Sequence, residues 1–288
     1  MSSWANRSVH RKRDLSFIPP VIPEKPKPVS DIKPKNEIIY PSPPLPVVTV
    51  KHRASSHSGF YQKDTAYLDT YESTLQRIQA FIEQPSDAVI TFIIPTIDRP
   101  SLTRTLTSIF KQTNTRWRAI VIFDGCEPTD QSLLSQLQDE RILYISINKI
   151  GRAGNVRNIG MSLVTSPWIG FVDDDDVILP TYIEHLLEES ERLVHADLIS
   201  FRMIDSGQVI PPPFCQSILP NQIGISFAMK IHLVNEGFLF TEPIREDYHL
   251  VIDIKRAKKV IILSEHVAYL TRNSTFDKHP KITRIVLH

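Results

Sequence analysis

The central part of the chain alternates between two hydrophobic patterns, and this alternation strongly constrains the fold. Short, nearly continuous apolar runs rich in β-branched residues are typical of strands buried on both faces, and four occur, at 88–94, 118–123, 142–147 and 168–172. Apolar residues spaced three and four apart predict helices at 64–83, 100–113, 130–139, 153–165 and 180–194. This order predicts an α/β fold with a mostly parallel, Rossmann-like sheet and helices on both faces.

Polar and acidic side chains follow these strands, at the edge where parallel α/β sheets bind ligands. The first strand is followed by 95–100, the second by Asp124, and the fourth by four consecutive aspartates, 173–176. Neighbouring carboxylates repel one another, so we expect a cation among them, and oxygen ligands favour Mg²⁺ or Mn²⁺. Alternation along an extended chain would direct Asp173 and Asp175 to the same side. Alternatively, one of the last two aspartates caps the helix that follows.

The segment 151–160 is a second candidate site. It brings Arg152, Arg157 and several small residues to the start of a predicted helix, where free N–H groups and the helix dipole attract anions. The two arginines could hold a diphosphate, or they could lie on an exposed helix surface. We interpret Gly160 as a residue that allows close packing against the sheet. The G-x-G-x-x-G fingerprint and the P-loop motif are both missing, which argues against NAD, FAD and P-loop ATPases.

In chain order, AVITFIIPTIDRPSLTRTLTSIFKQ, IVIFDG and GRAGNVRNIGMSLVTSPWIGFVDDDDVILP resemble the inverting glycosyltransferases of family 2, which have the GT-A fold. The resemblance covers 88–194 and, more loosely, the chain up to 272. It implies that Asp173 and Asp175 form a DXD motif, with Asp175 the favoured metal ligand. The predicted donor-binding residues are Thr96, Asp98, Arg99, Asp124, Arg152, Arg157, Asp173 and Asp174.

Sugar transfer with inversion needs a carboxylate that takes the proton from the acceptor hydroxyl. Glu242, Glu246 and Asp247 precede a predicted helix that carries apolar residues at 250, 254 and 257. Acidic residues also suit the dipole at a helix N-terminus, which accounts for one of them. Because Glu246-Asp247-Tyr248 resembles the acceptor-side motif of the family, we predict Asp247 as the catalytic base and Glu246 as the second candidate.

The late part of the chain departs from the family in one respect. The Tyr-Arg-x-His pattern has no histidine at the matching position within 269–274. His266 and His279 lie nearby, but a single histidine is more often a surface or hydrogen-bonded residue, and we assign neither to a metal. The loop-like stretch 211–224 is short for an acceptor-binding region, which suggests a small acceptor or a site completed by another chain.

Residues 1–60 differ in composition from the rest of the chain. Ten of the 22 prolines lie in 19–46, and the segment has ten Lys or Arg against four Asp or Glu. We expect a disordered, Pro-rich linker, or alternatively a basic docking arm for a protein partner. The predicted domains are this segment, a lead-in helix at 61–87, and a transferase domain at 88–288 with a donor half (88–205) and an acceptor half (206–288).

Overall charge and apolar-run length narrow the function classes. A formal charge of +1 argues against a nucleic-acid partner, no apolar run is long enough to span a bilayer, and two cysteines fit a reducing compartment, so we expect a cytoplasmic protein. The predicted function is metal-dependent sugar transfer from a nucleotide diphosphate donor, with UDP-sugars favoured, to a sugar, lipid or protein acceptor. The alternatives are a sugar nucleotidyltransferase and a non-catalytic binding protein with a transferase fold.

Overall fold

The computed structural model of the protein describes residues 61–215, 217–220, 222–242, 244–272 and 274. The strands are β1 (Ile90–Thr96), β2 (Trp117–Asp124), β3 (Ile142–Ile147), β4 (Trp168–Phe171), β5 (Val177–Ile178), β6 (Leu198–Asp205), β7 (Gln208–Ile210), β8 (Phe227–Lys230) and β9 (Ile261–Leu270). The helices are α1 (Tyr61–Glu83), α2 (Leu102–Phe110), α3 (Gln131–Leu137), α4 (Ala153–Met161), α5 (Tyr182–Arg192), α6 (His232–Asn235) and α7 (Glu246–Arg256). Residues 1–60 and His279 lie outside the described residues, so the expected disorder of the N-terminal segment stays a prediction.

The strands form one sheet in the order β3-β2-β1-β4-β8-β6-β9-β5, with β7 paired to β6. The first four strands are parallel to one another. In the second half, β8 runs antiparallel to β4 and β6, β9 runs parallel to β6, and β5 runs antiparallel to β9. The predicted α/β fold is therefore confirmed, and its parallel half is extended by a mixed half.

Burial explains why the parallel half was readable from sequence. Every residue of β1, β2 and β4 is buried. Because successive side chains point to opposite faces, both faces of these strands must be covered, which removes polar alternation from their sequences. The helices cover the faces through stripes of apolar residues, as in α2, which buries Leu102, Leu106 and Ile109.

No strand is predicted from the sequence after residue 172, whereas five strands occur among the described residues that follow it. These strands are short or partly polar: β5 has two residues, and β9 carries Ser264, Glu265 and His266 in its middle. The predicted helices are all present, with ends that differ by a few residues. Within the part of the chain that the structure describes, no helix is long and apolar enough to cross a membrane.

The end of β9 is brought to the acidic edge by a small antiparallel pair. After β4 the chain passes through the four aspartates at 173–176, here called the acidic segment, and continues as β5. Val177 is opposite Leu270 and Ile178 is opposite Tyr269 in the β5–β9 pair. The residues at the carboxyl end of β9 therefore lie beside the aspartates, although almost a hundred residues separate them in sequence.

Candidate active site

The aspartates that follow β4 do not cap a helix. Residue 176 leads directly into β5, and α5 begins later, with Thr181 as its N-cap. The capping alternative is therefore wrong. Side-chain burial alternates along the cluster, because Asp174 and Asp176 are buried whereas Asp173 and Asp175 are partly exposed. The shared side expected for Asp173 and Asp175 stays a prediction, because the chain turns at 174–175 rather than continuing as an extended strand.

Asp174 and Asp175 are held by residues from the loop after β1 and from the end of β9. Thr96 donates a hydrogen bond of 2.7 Å to Asp174. The guanidinium of Arg99 lies 3.0 Å from Asp174 and 2.9 Å from Asp175, and Arg272 lies 3.0 Å from the same oxygen of Asp175. Two arginines thus meet the carboxylate that sequence analysis favoured as a metal ligand.

Asp176 is buried beneath Tyr269 and the chain that follows β9. The hydroxyl of Tyr269 donates to Asp176 over 2.8 Å and accepts from the backbone N–H of Asp173 over 3.2 Å. The second oxygen of Asp176 accepts from the backbone N–H of Arg272 over 2.7 Å. Tyr269 therefore holds both the backbone at Asp173 and the side chain of Asp176 in place.

Arg157 joins the acidic segment to α7. Its guanidinium pairs with Asp173 and, over 2.9 Å, with Glu246, and its side chain is only 4% exposed. These contacts occupy both ends of the guanidinium and favour a positioning role over the predicted grip on a diphosphate. Arg152, by contrast, is exposed at the N-cap of α4.

A cleft of about 200 Å³ opens where Arg157 meets α7. Its lining includes Asp173, Glu246, Asp247 and Tyr269. Asp247 accepts a 2.7 Å hydrogen bond from the backbone N–H of Tyr248 and forms no ion pair with a described residue. Burial, with Glu246 and Asp173 close by, raises the pKa of Asp247. The two predicted bases therefore differ: Glu246 forms an ion pair with Arg157, whereas Asp247 forms none within the described part of the chain.

Two other predicted donor-binding residues fasten loops at the same edge. Asp124 accepts hydrogen bonds from the backbone N–H groups of Ile150 (2.5 Å) and Gly151 (2.7 Å), which holds the loop before α4. Asp98, in the left-handed region at φ 62°, accepts from the backbone and hydroxyl of Thr129. Both carboxylates shape the edge of the sheet but do not line the cleft.

The helix α4 lies close against the sheet, as the glycine interpretation predicts. A Cβ at Gly160 would come within 2.6 Å of Ile93 and 3.2 Å of Ile122. A larger residue would push α4 and Arg157 away from the strands. At the other side of α4, Asn158 exchanges two hydrogen bonds with the backbone of Phe240, at 2.8 and 2.9 Å. The close packing therefore contributes to the position of Arg157.

The acidic edge suits a divalent cation held by few protein ligands. The side chains of Asp173 and Asp175 are 36% and 16% exposed. Among the described residues, no three carboxylates or imidazoles converge at this edge. Mg²⁺ needs no such group, because it commonly binds one or two carboxylates together with substrate phosphates. The oxygen-only donor set matches the predicted Mg²⁺ or Mn²⁺.

The buried aspartate should make stability depend on pH in metal-free solution. Burial, followed by the charge of Asp173, raises the pKa of Asp176 to about 7, whereas an aspartate in the unfolded chain has a pKa of 3.8. Because the raised pKa favours the protonated carboxyl in the folded state, the contribution of Asp176 to the free energy of unfolding is complete below pH 3.8. This contribution decreases above that pH and is lost as the pH rises through 7. Between about pH 5 and pH 8 the free energy of unfolding should fall by ~2 kcal/mol on this account. Urea unfolding with a chelator present would show the fall in the wild type and its loss in Asp176→Asn.

A matched substitution separates this effect from a general change of charge. Asp253 is 51% exposed on α7, so Asp253→Asn should keep the pH dependence of the wild type. Equal slopes in the wild type and Asp176→Asn would contradict the assignment.

Two residues that hold the acidic segment, Tyr269 and Arg272, are not predicted as site residues from the sequence. They appeared only as a departure from a family pattern, because their relation to the aspartates depends on the pairing of β5 with β9. The apolar residues of 261–270 were a usable signal, since Ile262, Ala268 and Tyr269 are buried. A strand prediction there would have brought its last residues to the sheet edge.

Comparison with known proteins agrees with this geometry. The model of the family described as Glycosyl transferase family 2 matches residues 91–232, a range that contains β1–β4 and the acidic segment. Residues 91–232 belong to glycosyl transferase family 2. The predicted resemblance is thereby confirmed over these residues.

Two relatives carry glycosyltransferase names. A protein of Escherichia coli K12, named as the colanic acid biosynthesis glycosyl transferase WcaA, is 29% identical over 140 residues, which are 47% of this chain and 50% of WcaA. An uncharacterized glycosyltransferase of Rickettsia bellii is 27% identical over 234 residues, 70% of this chain and 33% of that protein. The chain thus spans half or less of the length of these relatives.

A solved structure supports the GT-A type of fold for the transferase domain. Residues 1–349 of TarS from S. aureus, crystallised in complex with UDP-GlcNAc, superpose with a TM-score of 0.54 at 20% identity. The match covers 63% of this chain and 58% of that one. The likeness concerns the fold.

Proposed function

We propose that the protein is an inverting, metal-dependent glycosyltransferase that moves a sugar from a UDP-sugar to an acceptor hydroxyl. The observation that carries this proposal is the cleft in which Asp247, which forms no ion pair with a described residue, faces the acidic segment after β4. A transferase needs one carboxylate for the acceptor and a separate anion-binding edge for the donor. Asp247 lines this cleft together with Asp173 and Asp176, and Arg99 and Arg272 pair with Asp175 next to them.

On the acceptor side, Asp247 would take the proton of the attacking hydroxyl. Its raised pKa makes it a stronger base than an exposed aspartate. Glu246 is a poorer candidate because its carboxylate is held by Arg157. The role of Glu246 would be to hold Arg157, and through it Asp173, at the floor of the cleft.

On the donor side, the loop after β1 and the end of β9 would meet the nucleotide diphosphate. Arg99 and Arg272 are 44% and 62% exposed, and both reach Asp175. They can turn from this carboxylate to donor phosphates, because exposed ion pairs are weak. Thr96, Asp98 and Asp124 would shape the base and ribose pocket by holding the surrounding loops. Bound at Asp173 and Asp175, Mg²⁺ or Mn²⁺ would neutralise the leaving diphosphate.

The proposal is tested by thermal unfolding against a panel of nucleotides and nucleotide-sugars, with and without Mn²⁺. A ligand at about one hundred times its dissociation constant stabilises the folded state by ~2.7 kcal/mol, which is readily measured. We expect UDP or one UDP-sugar to raise the unfolding temperature only when metal is present. If no nucleotide stabilises the protein under either condition, the donor assignment is wrong.

Asp175→Asn should remove the metal-dependent part of this stabilisation. The amide keeps the size of the side chain but has lost the negative charge that attracts the cation. We expect the variant to bind UDP no better with Mn²⁺ than without it, and to unfold near the wild-type temperature in the absence of ligand. Asp253→Asn, which changes an exposed aspartate on α7, serves as the matched control. A full metal-dependent shift in Asp175→Asn would exclude Asp175 as a ligand.

A further inference from the structure

Two histidines and a glutamate meet between α5 and β9, outside the cleft described above. His185 and Glu188 lie one turn apart on α5, and His266 extends from the middle of β9. One ligand atom from each of the three residues lies within 4.8 Å of the other two. Among the described residues they form the one group of three or more such side chains with this geometry.

The separations match those of a tetrahedral metal site. The same carboxylate oxygen of Glu188 lies 3.6 Å from Nδ1 of His185 and 3.4 Å from Nε2 of His266. Zn²⁺ binds imidazole nitrogen and carboxylate oxygen at about 2.0–2.2 Å, so two ligands in a tetrahedron are about 3.3 Å apart. Two of the edges of such a site are therefore already close to the required length.

The hydrogen bonds of His185 leave one nitrogen available. Nε2 lies 3.0 Å from the hydroxyl of Thr181, whereas Nδ1 is buried and has no hydrogen-bond partner. A histidine that binds a metal usually engages an oxygen with its other nitrogen, which fixes the orientation of the ring. In His185, Nε2 would be the nitrogen that engages an oxygen, that of Thr181, and Nδ1 would be the nitrogen that binds the metal.

We propose that His185, Glu188 and His266 form a Zn²⁺ site that links α5 to β9, with water in the fourth position. The two rings are stacked in this structure, with centroids 3.8 Å apart and planes 11° apart. Binding of one ion by both rings requires one ring to tilt. His266 has space for this movement because its side chain is 33% exposed.

The proposed site does not depend on the proposed sugar transfer. The helix α5 is already joined to β9 by a 2.7 Å hydrogen bond from Ser264 to Glu189, so the ion would reinforce an existing contact. The same strand carries Tyr269 next to its last residue, and Tyr269 contacts the acidic segment. Zn²⁺ would thus stiffen the strand that supports the candidate active site without taking part in it.

The test is a Zn²⁺ titration of the full chain in competition with a chromophoric chelator. An Asp175→Asn background keeps the acidic edge from contributing. We expect one tight equivalent in this background, with affinity at least about tenfold lower after His266→Gln or Glu188→Gln. The control His195→Gln removes an exposed histidine just after α5 and should leave the affinity unchanged. Donor binding is measured separately by the nucleotide panel, so either proposal can fail alone.

Co²⁺ gives a second measurement that does not rely on affinity. Bound to two nitrogens and oxygens in a tetrahedron, it should produce intense visible absorption in the background protein and in His195→Gln, and much weaker absorption in His185→Gln. Because Glu188 is 64% exposed, Glu188→Gln should fold normally and keeps the test valid if a histidine variant does not. Equal Zn²⁺ affinity in the background, His266→Gln and Glu188→Gln proteins would overturn the proposal.

Discussion

Replacing Asp247 with Asn should lower the rate of sugar transfer by about 10² to 10⁴-fold while leaving donor binding unchanged. The amide has nearly the shape of the carboxylate and can still accept the hydrogen bond from the N–H of Tyr248. It cannot accept the proton of the acceptor hydroxyl. Release of nucleoside diphosphate from the stabilising donor, measured with a panel of sugar acceptors, gives the rate.

The pH dependence of the same reaction distinguishes a base from a residue that only shapes the cleft. In the wild type, the rate should rise with pH as Asp247 loses its proton, at a pH above the usual range of an aspartate because burial raises its pKa. Asp247→Asn should lose this rise. Asp253→Asn, on the same helix and exposed, should retain both rate and profile. An unchanged rate in Asp247→Asn would exclude it as the base.

Replacing Arg157 with Met should cost about 2 to 4 kcal/mol of folding free energy. Removing one partner of a buried ion pair leaves the other charges without compensation, which commonly costs ~3–5 kcal/mol. Here the remaining carboxylates, Asp173 and Glu246, are 36% and 25% exposed, so partial hydration reduces the loss. Asp247 faces the same cleft and would add to the repulsion. Chemical denaturation measures the difference.

Two further variants test the cause of this loss. Arg256 is 75% exposed on α7 and pairs with Asp253, which is 51% exposed, and Arg256→Met should cost less than about 1 kcal/mol. The double variant Arg157→Met with Glu246→Gln should be more stable than Arg157→Met alone, because it removes one of the uncompensated charges. If the double variant is no more stable than the single one, uncompensated charge is not the cause.

Local sequence was sufficient for the parts of the fold whose burial is uniform. β1, β2 and β4 are buried along their whole length, so their apolar runs were visible without knowledge of their neighbours. Because parallel strands present their carboxyl ends at one edge, the polar residues after them could be assigned to one region. The acidic segment at 173–176 follows the same logic.

The partly polar strands of the second half could not be read in this way. β6 and β9 pair with each other and with strands far away in sequence, so their positions depend on sheet order rather than on a local pattern. The loop-like interpretation of 211–224 agrees with the structure, which has no helix or strand among the described residues of that stretch. The domain boundaries and the roles of the site residues stay predictions.

Sequence by itself determined the residue types at the acidic edge, the α/β class and the family of residues 91–232. Only tertiary structure decided which of these residues form ion pairs and hydrogen bonds with one another. Arg157 meets Glu246, 89 positions away, and Tyr269 meets Asp176, 93 positions away. The pairing of Glu246 with Arg157 separates it from Asp247 as a candidate base. The physical reason is that a carboxylate's basicity depends on burial and on neighbouring charges, which are properties of the folded chain.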